Sequence, residues 1–159
     1  MEHGTKLGTV RSPLRILVGD DLKVNRTLLA SALECCFKDS GKILHIDQCS
    51  SAEEAMILCF PGDSAHGCCN FDIVILDEHM SDEPDAMLGS HALELIRARD
   101  ARAVLISCSC SCSQDGFVTL AKSRGANAVW GKPLPDPRNG EMHHQLVTLL
   151  GEELERIET

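Results

Sequence analysis

No stretch of this 159-residue chain is apolar for long enough to cross a membrane, because runs such as Ile73 to Leu76 are broken by charges within a few residues. The opening MEHGTKLGTV lacks the apolar core of a secretory signal, so a reducing, cytoplasmic setting is expected and the nine cysteines are expected as thiols. None of them shows the paired C-x-x-C spacing that suits tetrahedral zinc; they occur as neighbours (Cys35-Cys36, Cys68-Cys69) or in the alternating run Cys108, Cys110, Cys112. Clustered basic residues are missing too. With 15 Lys and Arg against 24 Asp and Glu, a net charge of -9 argues against direct nucleic-acid binding, which needs cations to displace phosphate counterions. Internal repeats and low-complexity segments are also absent.

What remains is the composition of one globular domain, 43% hydrophobic and 25% charged. Residues 1–13 are polar and end in Ser12-Pro13, so they are expected as a flexible leader before a domain spanning 14–159. Short apolar runs then alternate with helical patterns. Arg15 to Gly19, Ile43 to Cys49, Asp72 to Asp77, Ala103 to Ser107 and Ala128 to Trp130 predict strands. Helices are predicted from Leu22 to Phe37 with Val24, Leu28, Ala32 and Cys36 as the apolar stripe, and from Ser51 to Phe60 with Ser50 or Ser51 as cap. Three more follow over Leu88 to Arg99, about Ser113 to Arg124, and about Asn139 to Glu158. Five such units predict an α/β fold, a doubly wound parallel sheet with helices on both faces. In such a sheet a ligand crevice lies beyond the carboxyl ends of the strands.

Those ends carry the chemistry. Asp20 and Asp21 close the first strand, Asp77 the third and Ser107 the fourth, while Lys132 follows the fifth. Taken singly, an acid at a strand end more often caps the next helix, and a lysine before proline is more often a solvated charge. Placed jointly at four strand ends, they are hard to attribute to capping. Three carboxylates in one crevice repel one another unless a cation neutralises them, and hard oxygen donors suit Mg²⁺ or Mn²⁺. A carboxylate attacking a phosphoryl group needs such a metal and a lysine to offset the charge on the phosphoryl oxygens. Asp77 has both in prospect.

These residues resemble the response-regulator receiver family over about residues 14–158. The carriers are Ile16-Leu17-Val18-Gly19-Asp20-Asp21, Asn25-Arg26, Ile73 through Met80, Ser107, and Gly125-Ala126 through Gly131-Lys132-Pro133. The Asn25-Arg26 pair looks most like receivers of hybrid histidine kinases, which points to a multistep His-to-Asp relay. The resemblance implies a flavodoxin-like sheet of order 2-1-3-4-5. It implies Asp77 as the phosphoacceptor, with Asp21 and the His79 backbone carbonyl joining it around the metal and Asp20 acting mainly through metal-bound water. Ser107 would hydrogen-bond a phosphoryl oxygen, Lys132 would pair with the phosphoryl group, and a cis bond would precede Pro133. Cys108 takes the small-residue position beside the acceptor. The implied partner is a histidine kinase or histidine phosphotransfer protein, and turnover is limited to the domain's own acyl phosphate.

Three positions depart from the family pattern. Ser81 replaces the usual proline, and Gly89 comes about four residues late, so Ser81 to Ala86 form an enlarged acidic loop. Val129 stands where the family usually has an aromatic partner for the hydroxyl switch, so output is expected to fall on residues 108–113 and the face of the fourth helix, fifth strand and last helix, with Trp130 as a reporter. Two other readings compete. A haloacid-dehalogenase-like phosphatase also uses an aspartate nucleophile and Mg²⁺, but expects a second acid where His79 stands. A phosphorylation-independent pseudo-receiver would have no need to retain Asp20, Asp21, Asp77, Ser107 and Lys132.

Overall fold

Strands and helices alternate strictly in the computed structural model, which describes residues 13–62, 67–110, 114 and 116–158, with side chains as far as Glu152. In chain order they are β1 (Leu14–Gly19), α1 (Lys23–Phe37), β2 (Leu44–Cys49), α2 (Ala52–Cys59) and β3 (Ile73–Asp77). There follow α3 (Gly89–Arg99), β4 (Val104–Cys108), α4 (Phe117–Ser123), β5 (Ala128–Trp130) and α5 (Glu141–Glu158). Apart from Pro13, the expected leader lies outside the described residues.

All strand pairs are parallel and the sheet order is β2-β1-β3-β4-β5, the doubly wound arrangement expected. Central strands are apolar throughout because both of their faces are covered. Alternation sends Ile16, Val18, Ile73, Ile75, Val104 and Ile106 into one layer with α1 and α5. Leu17, Val74, Leu76 and Leu105 point the other way, into the layer of α2, α3 and α4. Each such side chain, once fully buried, contributes about 1.5–3 kcal/mol. Because β1 lies between β2 and β3, the order of winding reverses there, and the crevice opens past the ends of β1 and β3.

Two local expectations change. The stripe Val24, Leu28, Ala32, Cys36 is not the buried face of α1: Val24 and Leu28 are each 61% exposed, and Leu29, Leu33 and Phe37 are buried instead. Two neighbouring ridges share the same spacing of four, and the one with the larger side chains removes more apolar area from water. Helix α4 begins at Phe117 rather than near Ser113, because Gly116 takes a left-handed conformation (φ 82°) that no helical residue adopts. The α2 start is as expected, since Ser51 Oγ accepts from the Glu54 amide at 3.1 Å while Glu54 Oε2 accepts from the Ser50 amide at 3.0 Å.

Candidate functional site

The first observation is convergence. Asp20 and Asp21 at the end of β1 and Asp77 at the end of β3 each bring a carboxylate oxygen within 4.8 Å of the others. Lys132, beyond β5, donates from Nζ to Asp20 Oδ2 at 3.2 Å and to Asp77 Oδ1 at 3.3 Å. The Lys132–Pro133 peptide is cis. Burial pushes the Asp77 carboxyl above the usual range; Lys132 pulls it down, while Asp20 adds to the rise. Burial also opposes the charge on Lys132, but Asp77 and Asp20 together outweigh it and hold the ammonium above its ordinary value. A site with this balance is short of positive charge, having three acids and one close lysine.

Ser107 supplies the second observation. It pairs in register with Leu76 beside Asp77, is fully buried, and its hydroxyl has no hydrogen-bond partner among the described residues. A buried hydroxyl left without a partner costs about 1–3 kcal/mol. A donor awaiting an acceptor, set beside carboxylate oxygens of the kind Mg²⁺ or Mn²⁺ takes, fits a divalent cation held together with an oxyanion. His79 lies two residues past Asp77 and is exposed. Cys108 pairs in register with Asp77 and is buried, and burial pushes its thiol up to about 12, so it packs as a small apolar residue and makes a poor nucleophile.

Sequence reasoning missed most of the residues that hold this set in place. Asn25, read only as a mark of subtype, donates to both oxygens of Asp20 at 3.3 and 3.2 Å. Arg26 donates to the carbonyls of Asp20 and Asp21 at 2.8 and 3.3 Å and to Gln48 Oε1 at 3.3 Å, tying the acidic turn to β2. Gly89, noted only for its late position, runs so close to Asp77 that a Cβ there would lie 2.0 Å from the Asp77 carbonyl oxygen. The enlarged loop therefore returns the chain to the same close approach and bulges outward between. Its residues Ser81, Glu83, Pro84 and Asp85 wall a groove of about 770 Å³ that also reaches His79 and Arg124.

Val129, standing where the resemblance implies an aromatic, is half-buried against the layer of α2, α3 and α4. Trp130 is buried on the opposite layer and donates from Nε1 to Gln145 Oε1 at 2.8 Å, which couples it to α5. Residues 111–113, where movement is expected, lie outside the described residues. His143 is half-buried and packs edge-on to Phe37 at 5.2 Å.

No protein-family model and no curated protein sequence matches the chain. Solved structures do. A CheY-like response regulator receiver domain protein from Methanospirillum hungatei JF-1 is 21% identical over 91% of this chain and 99% of its own, with a TM-score of 0.66. The signal receiver domain of a DNA-binding response regulator from Colwellia psychrerythraea 34H is 26% identical over 85% and 98%, with a TM-score of 0.61. A Burkholderia pseudomallei response regulator, solved with a phosphorylated aspartic acid, a calcium ion and citrate, is 19% identical over 92% and 73%, with a TM-score of 0.59. The chain is thus a doubly wound α/β domain with an acidic switch point. More narrowly, its fold is that of the CheY-like response-regulator receiver domains. Among the described residues no helix is long and apolar enough to cross a membrane.

Proposed function

We propose that this domain is the phosphoryl acceptor of a two-component or phosphorelay system, taking its phosphoryl group from the phosphohistidine of a histidine kinase or histidine phosphotransfer protein onto Asp77. The observation that carries the reading is the meeting of Lys132 with Asp77 and Asp20, which lie 55 and 112 positions away in the chain. An Asp77 Oδ atom forms the new O–P bond as the donor's P–N bond breaks, and the electron pair leaves with the donor imidazole. Lys132 neutralises charge on the transferred group, and the unpartnered Ser107 hydroxyl donates to one of its oxygens. Asp20, Asp21, Asp77 and the His79 carbonyl would hold Mg²⁺, which when bound offsets the negative charge gathered in the crevice.

The domain then acts as a switch with no turnover beyond its own acyl phosphate. Asn25 and Arg26 brace the acidic turn in the way their resemblance to hybrid-kinase receivers suits, so the donor we favour is a phosphotransfer protein in a multistep cytoplasmic relay. Incubation with Mg²⁺ and a small phosphodonor, followed by intact-mass analysis, tests the assignment. Wild type is expected to gain one phosphoryl group and Asp77→Asn none; equal labelling of the two removes Asp77 as acceptor.

A further inference from the structure

Directly after the acceptor, Glu78 is buried, only 4% exposed. A carboxylate there is costly unless paired and hydrogen-bonded. Its Oε1 accepts from the Ser90 amide at 3.2 Å and from the Ser90 hydroxyl at 2.7 Å, in the first turn of α3 where the helix dipole also favours an anion. Its main-chain carbonyl accepts from the Gly89 amide at 2.9 Å. Among the described residues no cation touches Glu78 directly. The positive charge arrives at one remove, since Arg124 donates from Nη1 to Ser90 Oγ at 2.9 Å. Ser90 has one hydroxyl proton and gives it to Glu78, so it can only accept from Arg124, and the chain of bonds has one direction: Arg124 to Ser90 to Glu78. Charged groups at both ends strengthen such a chain.

Arg124 is the residue that closes α4. That helix is part of the expected output face, while Glu78 sits between Asp77 and His79 in the turn that presents the acceptor. We infer that Arg124 and Ser90 are positioning residues which, through Glu78, couple the C-terminal end of α4 to the acceptor turn. This deepens the receiver reading and rests on it. A shift of α4 that withdraws Arg124 leaves Ser90 with an unmet acceptor and Glu78 with weaker charge compensation, loosening the backbone that carries Asp77 and His79. In return, an acceptor turn tightened by a bound group holds Arg124 in place, because coupling between two sites is reciprocal. That route passes through α3 and needs no aromatic ring at Val129.

The test uses Mn²⁺ alone as the probe, its binding followed by electron paramagnetic resonance, together with amide exchange at residues 77–80 in the metal-free protein. Ser90→Ala and Arg124→Ala are each expected to weaken Mn²⁺ binding roughly 3–10-fold, below the about 10–100-fold seen when a ligand's direct outer partner is lost. Both are expected to speed exchange at Glu78 and His79. The double variant should be no worse than Ser90→Ala, because the bonds act in series, and Arg124→Lys, which keeps a charged donor, should recover most of the loss. Additive losses, or unchanged Mn²⁺ affinity and unchanged exchange in variants that merely melt earlier, would overturn the relay. Should Ser90→Ala not fold, the Arg124→Ala and Arg124→Lys pair decides it. If wild type binds no Mn²⁺ the receiver reading itself fails, and the exchange data still judge the chain of bonds.

Discussion

The two turns that carry the acidic residues, between β1 and α1 and between β3 and α3, hold their carboxylates by opposite means. After β1 the chain enters the helix within three residues, and side chains from the first turn of α1 reach back: Asn25 to the Asp20 carboxylate, Arg26 to two carbonyls. After β3 the chain wanders from Glu78 to Leu88 before α3 begins, and Asp77 is held by main-chain closeness at Gly89 and by the buried Glu78. Between those anchors Ser81 to Asp85 are exposed, with a further tie where Glu53 Oε1 accepts from the Met87 amide at 3.0 Å. The comparison teaches that order at a functional turn depends on where its ends are fastened rather than on its length. Extra loop residues cost little chain entropy when both ends are fixed.

The sharpest way to break the comparison is Gly89→Ala. The added methyl would meet backbone, which cannot rotate away, so either α3 or the Asp77 carbonyl must move. The expected loss is about 3 kcal/mol, at the upper end for overpacking, or a fall in Tm of roughly 6–12 °C for a chain of this length. Circular dichroism melting checks it, and a Tm within about 2 °C of wild type would show that the turn is held elsewhere.

A smaller effect tests the other turn. Arg26→Ala removes a charged donor from two carbonyls and from Gln48, with an expected cost of about 1–2 kcal/mol in urea unfolding. Arg26→Lys is expected to recover less than half, because an ammonium has no planar fork to span the three acceptors. Full recovery by lysine would reduce the role of Arg26 to its charge.

Strand ends were legible in the sequence because both of their causes are local. A strand buried on two faces must be a short apolar run, and an acid or a hydroxyl at its end interrupts that run visibly, as at Asp20, Asp77 and Ser107. The supports of the β3–α3 turn were not legible, since they join residues far apart in the chain: Ser90 to Arg124 spans 34 positions and Glu78 to Ser90 spans 12. Glu78 in particular was read only as part of the Ile73 to Met80 motif, and only tertiary structure shows it buried. The buried side of α1 was misread for a related reason, since spacing alone cannot choose between ridges one residue apart, and the choice falls to what the sheet offers.

The smallest expected effect concerns Asp77 itself and the charge that distinguishes the β3–α3 turn from its neighbour. Burial, with Asp20 adding to it, raises the Asp77 carboxyl above its value in the unfolded chain, so the folded protein binds this proton more tightly than the unfolded one. Asp77 therefore favours folding below its unfolded value, and the benefit is lost as pH rises through the folded value. At neutral pH without divalent cations the ionised carboxylate is a net burden, and Asp77→Asn is expected to be more stable than wild type. Lys132 keeps its bond to Asp20 in the variant, which limits the cost of losing the other. Discounted for solvent screening at a site open on one side, the gain should be a rise in Tm of about 2–4 °C, or roughly 1 kcal/mol. It should fade as the pH is lowered into the carboxylate range, where wild type regains its proton. Added Mg²⁺ should also shrink it, because a cation bound to native protein alone stabilises wild type more than a variant with one ligand fewer. Melting curves of both proteins across this pH range, with and without Mg²⁺, measure all three arms. A variant less stable than wild type at neutral pH in the absence of cations would show that the Lys132 pairing outweighs burial and the repulsion from Asp20.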